Sequence, residues 1–273
     1  MGGVMTRLAF IGFGEVGQTF AGGLKGRGGV TVAAYDLKFD NPQLRGGITA
    51  RAEALGVRVA ADAADAARDA HVVISAVTAA AAGEVAAAAA RYLKPGQIFL
   101  DINSASPNTK RTGAEHVKTS GAKFVEGAVM AAVAEPGLAV SILAGGPAAV
   151  EAAERLNPLG MKLKPVATEI GRASATKLSR SIVIKGMEVI LVQFFAAAKA
   201  WGVEDDVIAS LKATYPGIDW PQQVEYAAER VATHGIRRAQ EMREAAEMLA
   251  DLGLSPVLAQ AIADIQEQGA KKT

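Results

Sequence analysis

Three stretches of the sequence carry residues whose types and spacing suit them to chemistry. The first lies in "AFIGFGEVGQTFAGGL", residues 9–24, where Gly12, Gly14 and Gly17 stand in the spacing G-x-G-x-x-G. Glycine weakens strands and helices alike, so three glycines between an apolar run and a helical pattern imply that something lies close to the backbone. Gly12 permits a tight turn, Gly14 lets the backbone approach a pyrophosphate, and Gly17 lets the helix pack against the strand. N–H groups at the start of that helix, with the helix dipole, favour phosphate oxygens. Asp36 ends the following strand. A carboxylate there accepts the hydroxyls of an adenosine ribose and repels a 2′-phosphate. The combination predicts NAD as the cofactor in preference to NADP, with Lys38 nearby keeping NADP open.

The second stretch is "DINSASP", residues 101–107, which follows a strand at the carboxyl edge where doubly wound sheets bind ligands. Asn103, Ser104 and Ser106 have hydrogen-bonding side chains without acid–base strength, suited to holding a carboxamide or a hydroxyl. Ser106-Pro107 is equally a helix start, and both readings stand together. The third is the pair of helical stretches that carry Lys177, with Ser181, Lys185 and Glu188 on following turns, and His234, Arg237, Arg238 and Glu241 in "THGIRRAQEM". A desolvated lysine can act as general acid or base, and two arginines beside a histidine can clamp a carboxylate. From spacing alone, a solvated lysine and a solvated, salt-bridged helix face are the simpler readings. His71 and His116 read as structural, one opening a strand and one on a surface helix.

The elements that must position these residues follow from periodicity. Apolar strands at 6–11, 30–36, 57–60, 71–77, 97–103, 122–129, 139–146 and 162–167 alternate with helical patterns as far as about residue 168. That order indicates a mainly parallel, doubly wound sheet covered on both faces. Beyond it the strand signals stop: 171–202 reads as one long helix, and the rest is helical apart from the loop "TYPGIDWPQQ". The expected organisation is an α/β Rossmann-type domain over 1–168 and an all-α domain over 169–273, joined by the long helix. A chain of 273 residues suits two cores. Lys+Arg of 29 against Asp+Glu of 28 argues against bulk nucleic-acid or anionic-membrane binding. The absence of cysteine excludes thiol catalysis and disulfides, and only three histidines argue against a metal site. No signal core precedes the first strand and the apolar runs are short, so a cytoplasmic protein without a membrane span is expected. Met5 can serve as the start, with residues 1–4 a leader.

The glycine loop, Asp36, "DINSASP", a junction lysine on a long helix and a helical C-terminal domain together resemble the β-hydroxyacid dehydrogenase superfamily. That superfamily includes 3-hydroxyisobutyrate and 6-phosphogluconate dehydrogenases. "FVEGAVMAAVAEPG", "KLSRSIVIKGMEV" and "HGIRRAQEMREAAEMLADLG" are most similar to a branch of NAD(P)-dependent oxidoreductases with a phosphogluconate-dehydrogenase-like C-terminal domain. The resemblance implies that Lys177 relays the substrate hydroxyl proton while hydride leaves for the nicotinamide. It implies that Gly12, Phe13, Gly14, Glu15, Val16, Gly17, Asp36 and Val77 line the cofactor, that Asn103 touches cofactor and substrate, and that the protein is a homodimer through its helical domain.

Three positions depart from the superfamily's pattern. Its substrate-binding Ser-Gly-Gly is Met130-Ala131-Ala132 here, its asparagine four residues after the lysine is Ser181, and the acid of 6-phosphogluconate dehydrogenase seven residues on is Ile184. Met130 implies a substrate less polar than a sugar phosphate, and Ser104, Ser181, His234, Arg237 and Arg238 are the candidate polar contacts. The expected activity is hydride transfer between NAD(H) and a small hydroxy acid or related alcohol. The alternatives are an imine or keto-acid reductase on the same scaffold, or a non-catalytic NAD-binding sensor.

Overall fold

The computed structural model describes residues 5–270. Its strands are Thr6–Ile11 (β1), Val30–Tyr35 (β2), Arg58–Val59 (β3), Val72–Ser75 (β4), Ile98–Asp101 (β5), Lys123–Val129 (β6), Ser141–Gly145 (β7) and Lys162–Ala167 (β8). Between them run Glu15–Leu24 (α1), Arg45–Ala54 (α2), Ala63–Ala67 (α3), Ala79–Ala89 (α4), Pro107–Lys118 (α5) and Ala149–Leu156 (α6). The eight strands form one sheet in the order β3-β2-β1-β4-β5-β6-β7-β8. All pairs are parallel except β6 with β7, so β7 and β8 run against the rest. The alternation of strands and helices predicted the parallel part. The reversal is invisible to periodicity, because the link from β6 to β7 carries no full helix that would mark a crossover.

Every residue of β4 and β5 is buried, as central strands covered on both faces require. Successive residues feed opposite cores: Leu8 and Phe10 of β1 join one apolar cluster, Ala9 and Ile11 the other. The strand order reverses between β1 and β4, so the loops after these strands diverge and leave a crevice at the carboxyl edge.

One compact unit ends at Lys177 and a second begins at Leu178. The long helix Arg172–Trp201 (α7) starts in the first and continues in the second. The second unit holds, in addition, Glu204–Thr214 (α8), Trp220–Asp251 (α9) and Val257–Ala270 (α10). "WPQQ", expected in a loop, forms the first turn of α9: the Asp219 carboxylate accepts from the Gln222 N–H at 3.2 Å and Pro221 occupies the first turn. The α9 and α10 backbones approach closely at Gly235, where a Cβ would lie 2.1 Å from the Gln266 carbonyl oxygen.

The expectation that no apolar segment is long enough for a bilayer is corrected by α7, which reaches a mean hydropathy of 1.7 over 18 residues. Unbroken apolar runs understate it, because its few charges are spaced among many apolar residues. Within its own unit this helix carries Leu191 into a core with Trp220, Val224 and Ala227. The expected leader, residues 1–4, lies outside the described residues.

Candidate active site

The glycine loop is shaped as its spacing requires. Gly12 has φ of +94°, and a Cβ on it would lie 2.3 Å from the Ala76 carbonyl oxygen. A Cβ on Gly17 would lie 2.6 Å from the Gly12 carbonyl oxygen, so α1 packs against the loop itself as well as the sheet. Gly14 differs: nothing lies within 4 Å of its Cβ position, and no side chain caps α1. Its surroundings therefore fit a pyrophosphate against the orphan N–H groups of the first turn, where Glu15, Val16 and Gly17 follow.

Asp36 makes contacts that the sequence did not indicate. Its Oδ2 accepts the Phe13 N–H at 2.7 Å and its Oδ1 the Lys38 N–H at 2.9 Å. The carboxylate thus ties the glycine loop to the end of β2. Each oxygen retains a lone pair for a ribose hydroxyl. Gln18 braces the same loop by donating to the Phe13 carbonyl at 2.7 Å, and Arg51 in turn donates to Gln18 at 3.1 Å.

In "DINSASP" the three polar side chains divide the work. Asn103 is buried, its amide nitrogen donating to Ser75 Oγ at 2.9 Å and Asp101 Oδ1 at 2.6 Å, while its oxygen accepts the Val77 N–H at 2.7 Å. It therefore clamps the ends of β4 and β5 together, and both its donors are spent inside the protein. Ser106 caps α5, accepting the Thr109 N–H at 3.3 Å, with Pro107 in the first turn. Ser104 is partly exposed, and its Oγ accepts a hydrogen bond from Lys177 Nζ. The serine beside the asparagine is the group that meets the lysine. Met130 is half-buried beyond the end of β6 and joins β7 by donating its N–H to the Ser141 carbonyl at 2.9 Å.

Beneath this edge lies an ion pair with no sequence forecast. Lys110, fully buried, meets Asp101 Oδ1 at 2.8 Å and the Asp101 carbonyl at 2.9 Å. A lysine three residues after a Pro-led helix start gave no hint of burial.

In the second unit, α7, α9 and α10 enclose two polar layers. Ser181 donates to Glu241 Oε1 at 2.5 Å, and Lys185 Nζ reaches the same oxygen at 3.1 Å. Burial lowers the Lys185 pKa, and Glu241 opposes that shift. One turn on, Glu188 receives both Nε and Nη2 of Arg238, and Gln266 donates to it at 3.1 Å. The face expected to be solvated or to clamp substrate is thus split. Arg238 is buried and spent on Glu188, Arg237 is exposed, and His234 is half-buried.

A doubly wound sheet with an open glycine loop, an aspartate closing β2 and a lysine at the carboxyl edge defines a β-hydroxyacid dehydrogenase-like protein. Residues 7–170 match the NAD binding domain of 6-phosphogluconate dehydrogenase, and the chain belongs to that family. Residues 198–269 match a domain of unknown function, DUF1932. A conserved hypothetical protein from Sinorhizobium meliloti 1021 is 43% identical, with 98% of this chain and 90% of that one covered and a TM-score of 0.84. The conserved protein MTH1747, described as structurally similar to 3-hydroxyacid dehydrogenases, is 33% identical over 97% of each chain, with a TM-score of 0.77. The 3-hydroxyisobutyrate dehydrogenase of Mycobacterium tuberculosis, at 21% identity, shares the fold over 98% of this chain and 94% of its own, with a TM-score of 0.78. Family and fold together support an NAD(P)-dependent oxidoreductase.

Proposed function

We propose that the protein transfers hydride between NAD(H) and a small hydroxy acid or related alcohol, with Lys177 as general acid and base. The observation that carries this reading is the hydrogen bond from Lys177 Nζ to Ser104 Oγ at the edge of the sheet that also bears the glycine loop. An alcohol must lose its hydroxyl proton as its hydride departs. A base within hydrogen-bond reach of that oxygen speeds the step by about 10²- to 10⁴-fold. Ser104 offers Lys177 a hydroxyl of the kind a substrate would offer.

The nicotinamide, when bound, supplies the hydride acceptor or donor. Gly12 to Gly17 hold the pyrophosphate, Asp36 holds the adenosine ribose and favours NAD, and Val77, fixed by Asn103, lines the nicotinamide side. Met130 gives the substrate an apolar neighbour, while Arg237 and His234 are the polar candidates for its carboxylate end; Ser181, expected to join them, is buried with its hydroxyl given to Glu241. In this reading residues 1–168 bind the cofactor and 169–273 form the substrate and dimerisation domain of a cytoplasmic enzyme. The exposed apolar side chains Val183, Ile184, Met187 and Ile190 along α7 support a homodimer. Light scattering should give about twice the mass of the 28.1 kDa chain.

The test is a panel of small hydroxy acids followed at the NADH absorbance, repeated with Lys177→Ala. Turnover on at least one acid, lost by about 10²-fold or more in the variant with NADH affinity retained, is the expected result. Lys177→Arg should fail as well, because a guanidinium does not release its proton near neutral pH. NADH binding without turnover on any substrate would make the protein a sensor. Near-normal kcat in Lys177→Ala would remove the lysine from the chemistry, with His234 the next residue to replace.

A further inference from the structure

The helix that bears Lys177 has no local cap. The residue before its first turn is Gly171, which lacks a side chain and has φ of +105°. Three N–H groups at this end are satisfied from the sheet instead. Glu126 Oε1 accepts the N–H of Gly171 at 2.7 Å and of Ala173 at 3.0 Å, and its Oε2 accepts the Ser174 N–H at 3.3 Å and hydroxyl at 2.7 Å. Glu126 is fully buried, and among the described residues no cation pairs with it. A buried carboxylate is costly unless its oxygens are fully hydrogen-bonded, and the positive end of α7 supplies both the bonds and the compensating partial charge. Room is made on the neighbouring strand: a Cβ on Gly145 would lie 2.4 Å from Oε1.

The position of Glu126 in the sheet gives this cap a consequence for Lys177. Glu126 on β6 pairs directly with Asp101 on β5, and the chain runs from Asp101 through Asn103 to Ser104. Neighbouring strands stand about 4.8 Å apart. One rung of the sheet therefore fixes the first turn of α7 through Glu126 and, beside it, the hydroxyl that receives Lys177. Lys177 follows Ser174 by about one helical turn, so the cap and the ammonium share one side of the helix.

We propose that Glu126 is a positioning residue, whose carboxylate fixes the first turns of α7, up to Lys177, so that the Lys177 ammonium is held against Ser104. Its effect on turnover rests on the acid–base reading of Lys177, but its effect on the position of Lys177 does not.

The experiment is differential labelling with trinitrobenzenesulfonate, quantified lysine by lysine by peptide mass spectrometry, in the full chain and in Glu126→Gln. The glutamine keeps the shape but turns an N–H₂ toward N–H donors. Labelling of Lys177 should rise about tenfold, the scale of losing charge-assisted hydrogen bonds, while buried Lys110 and Lys185 stay as slow as in the wild type. With a turned-over substrate in hand, kcat should fall about tenfold while the NADH dissociation constant stays within about twofold. Lys177 labelled at the wild-type rate overturns the proposal. If Lys110 also becomes reactive, the fold has opened and Ser174→Ala decides instead. That variant removes one hydroxyl donor and leaves the carboxylate in place. A rise confined to Lys177 supports the positioning role, and no rise overturns it. Labelling that rises while kcat is unchanged supports the positioning role and overturns the acid–base reading.

Discussion

Lys177 gives its hydrogen bond to Ser104, while the adjacent Asn103 turns inward to Ser75, Asp101 and the Val77 N–H. The two neighbours in "DINSASP" therefore have opposite roles, one facing the lysine and one bolting the sheet edge. Ser104→Ala should lower kcat by about tenfold, less than Lys177→Ala, since it removes a neutral partner of the ammonium. In the double variant the losses should not add, because both residues serve one contact. A Ser104→Ala enzyme with wild-type kcat and KM would mean that the contact is incidental.

Asp36 shapes the glycine loop by accepting the Phe13 N–H, and under the proposed function it also sets cofactor choice. Asp36→Ser should lower kcat/KM with NAD and raise it with NADP, as the 2′-phosphate meets no carboxylate. The same change leaves the Phe13 N–H without its acceptor, so the cofactor-free protein should also lose about 1 to 2 kcal/mol of stability. Wild-type preference for NADP in steady-state kinetics would end the assignment of Asp36 as ribose carboxylate.

How far the sequence speaks can be judged at particular residues. Gly12, Gly14 and Gly17 were readable because backbone geometry limits what their spacing can do. The strand–helix alternation up to β8 and the helices beyond it were readable from period alone. Glu126 was not, although an acid in the middle of the apolar strand "FVEGAV" is a signal that something polar must meet it. Lys110 and Arg238 were not, because a helix pattern does not say whether a long charged side chain reaches water or turns inward to a partner on another element. The antiparallel turn of β7 escaped for a related reason: strand direction is fixed by connections in space.

The pair of Lys110 and Asp101 predicts a stability effect without a local change at the surface. Lys110→Met leaves Asp101 buried with one cation fewer, a change that typically costs about 3 to 5 kcal/mol. Asp101→Asn together with Lys110→Met should recover part of that loss. Urea unfolding of the three proteins measures both quantities. A Lys110→Met midpoint equal to wild type would show that the pair does not hold this edge.

Alkaline stability should carry the signature of Tyr92. Its hydroxyl is buried with no hydrogen-bond partner among the described residues, and burial pushes its pKa up from 10.0 to about 12. The folded protein thus keeps a proton that the unfolded chain releases from pH 10 upward. Stability conferred by the neutral phenol is complete below that value and is lost as pH rises from about 10 to about 12. Tyr92→Phe should flatten this limb by up to about 2 kcal/mol and leave stability at pH 7 equal or slightly higher, since an unsatisfied hydroxyl is removed. Parallel alkaline limbs in the two proteins would contradict the shift.

The adjacent arginines of "HGIRR" separate stability from recognition. Arg238 is buried and gives two nitrogens to Glu188, which also receives Gln266 from α10. Its removal leaves a buried carboxylate with only an amide partner. Arg238→Ala should therefore destabilise the protein by about 3 to 5 kcal/mol, and Arg238→Met with Glu188→Leu should restore much of it. Arg237 is exposed one position earlier on α9, so Arg237→Ala should leave the denaturation midpoint within about 0.5 kcal/mol of wild type. If Arg237 is the residue that meets the substrate carboxylate, the same change should raise KM for the acid about tenfold or more, because an ion-paired hydrogen bond is lost on binding. Melting curves and steady-state kinetics on the four proteins distinguish the roles. A large KM effect from Arg238→Met/Glu188→Leu with none from Arg237→Ala would reassign recognition to the buried pair. An unchanged KM in both would move the carboxylate contact off α9.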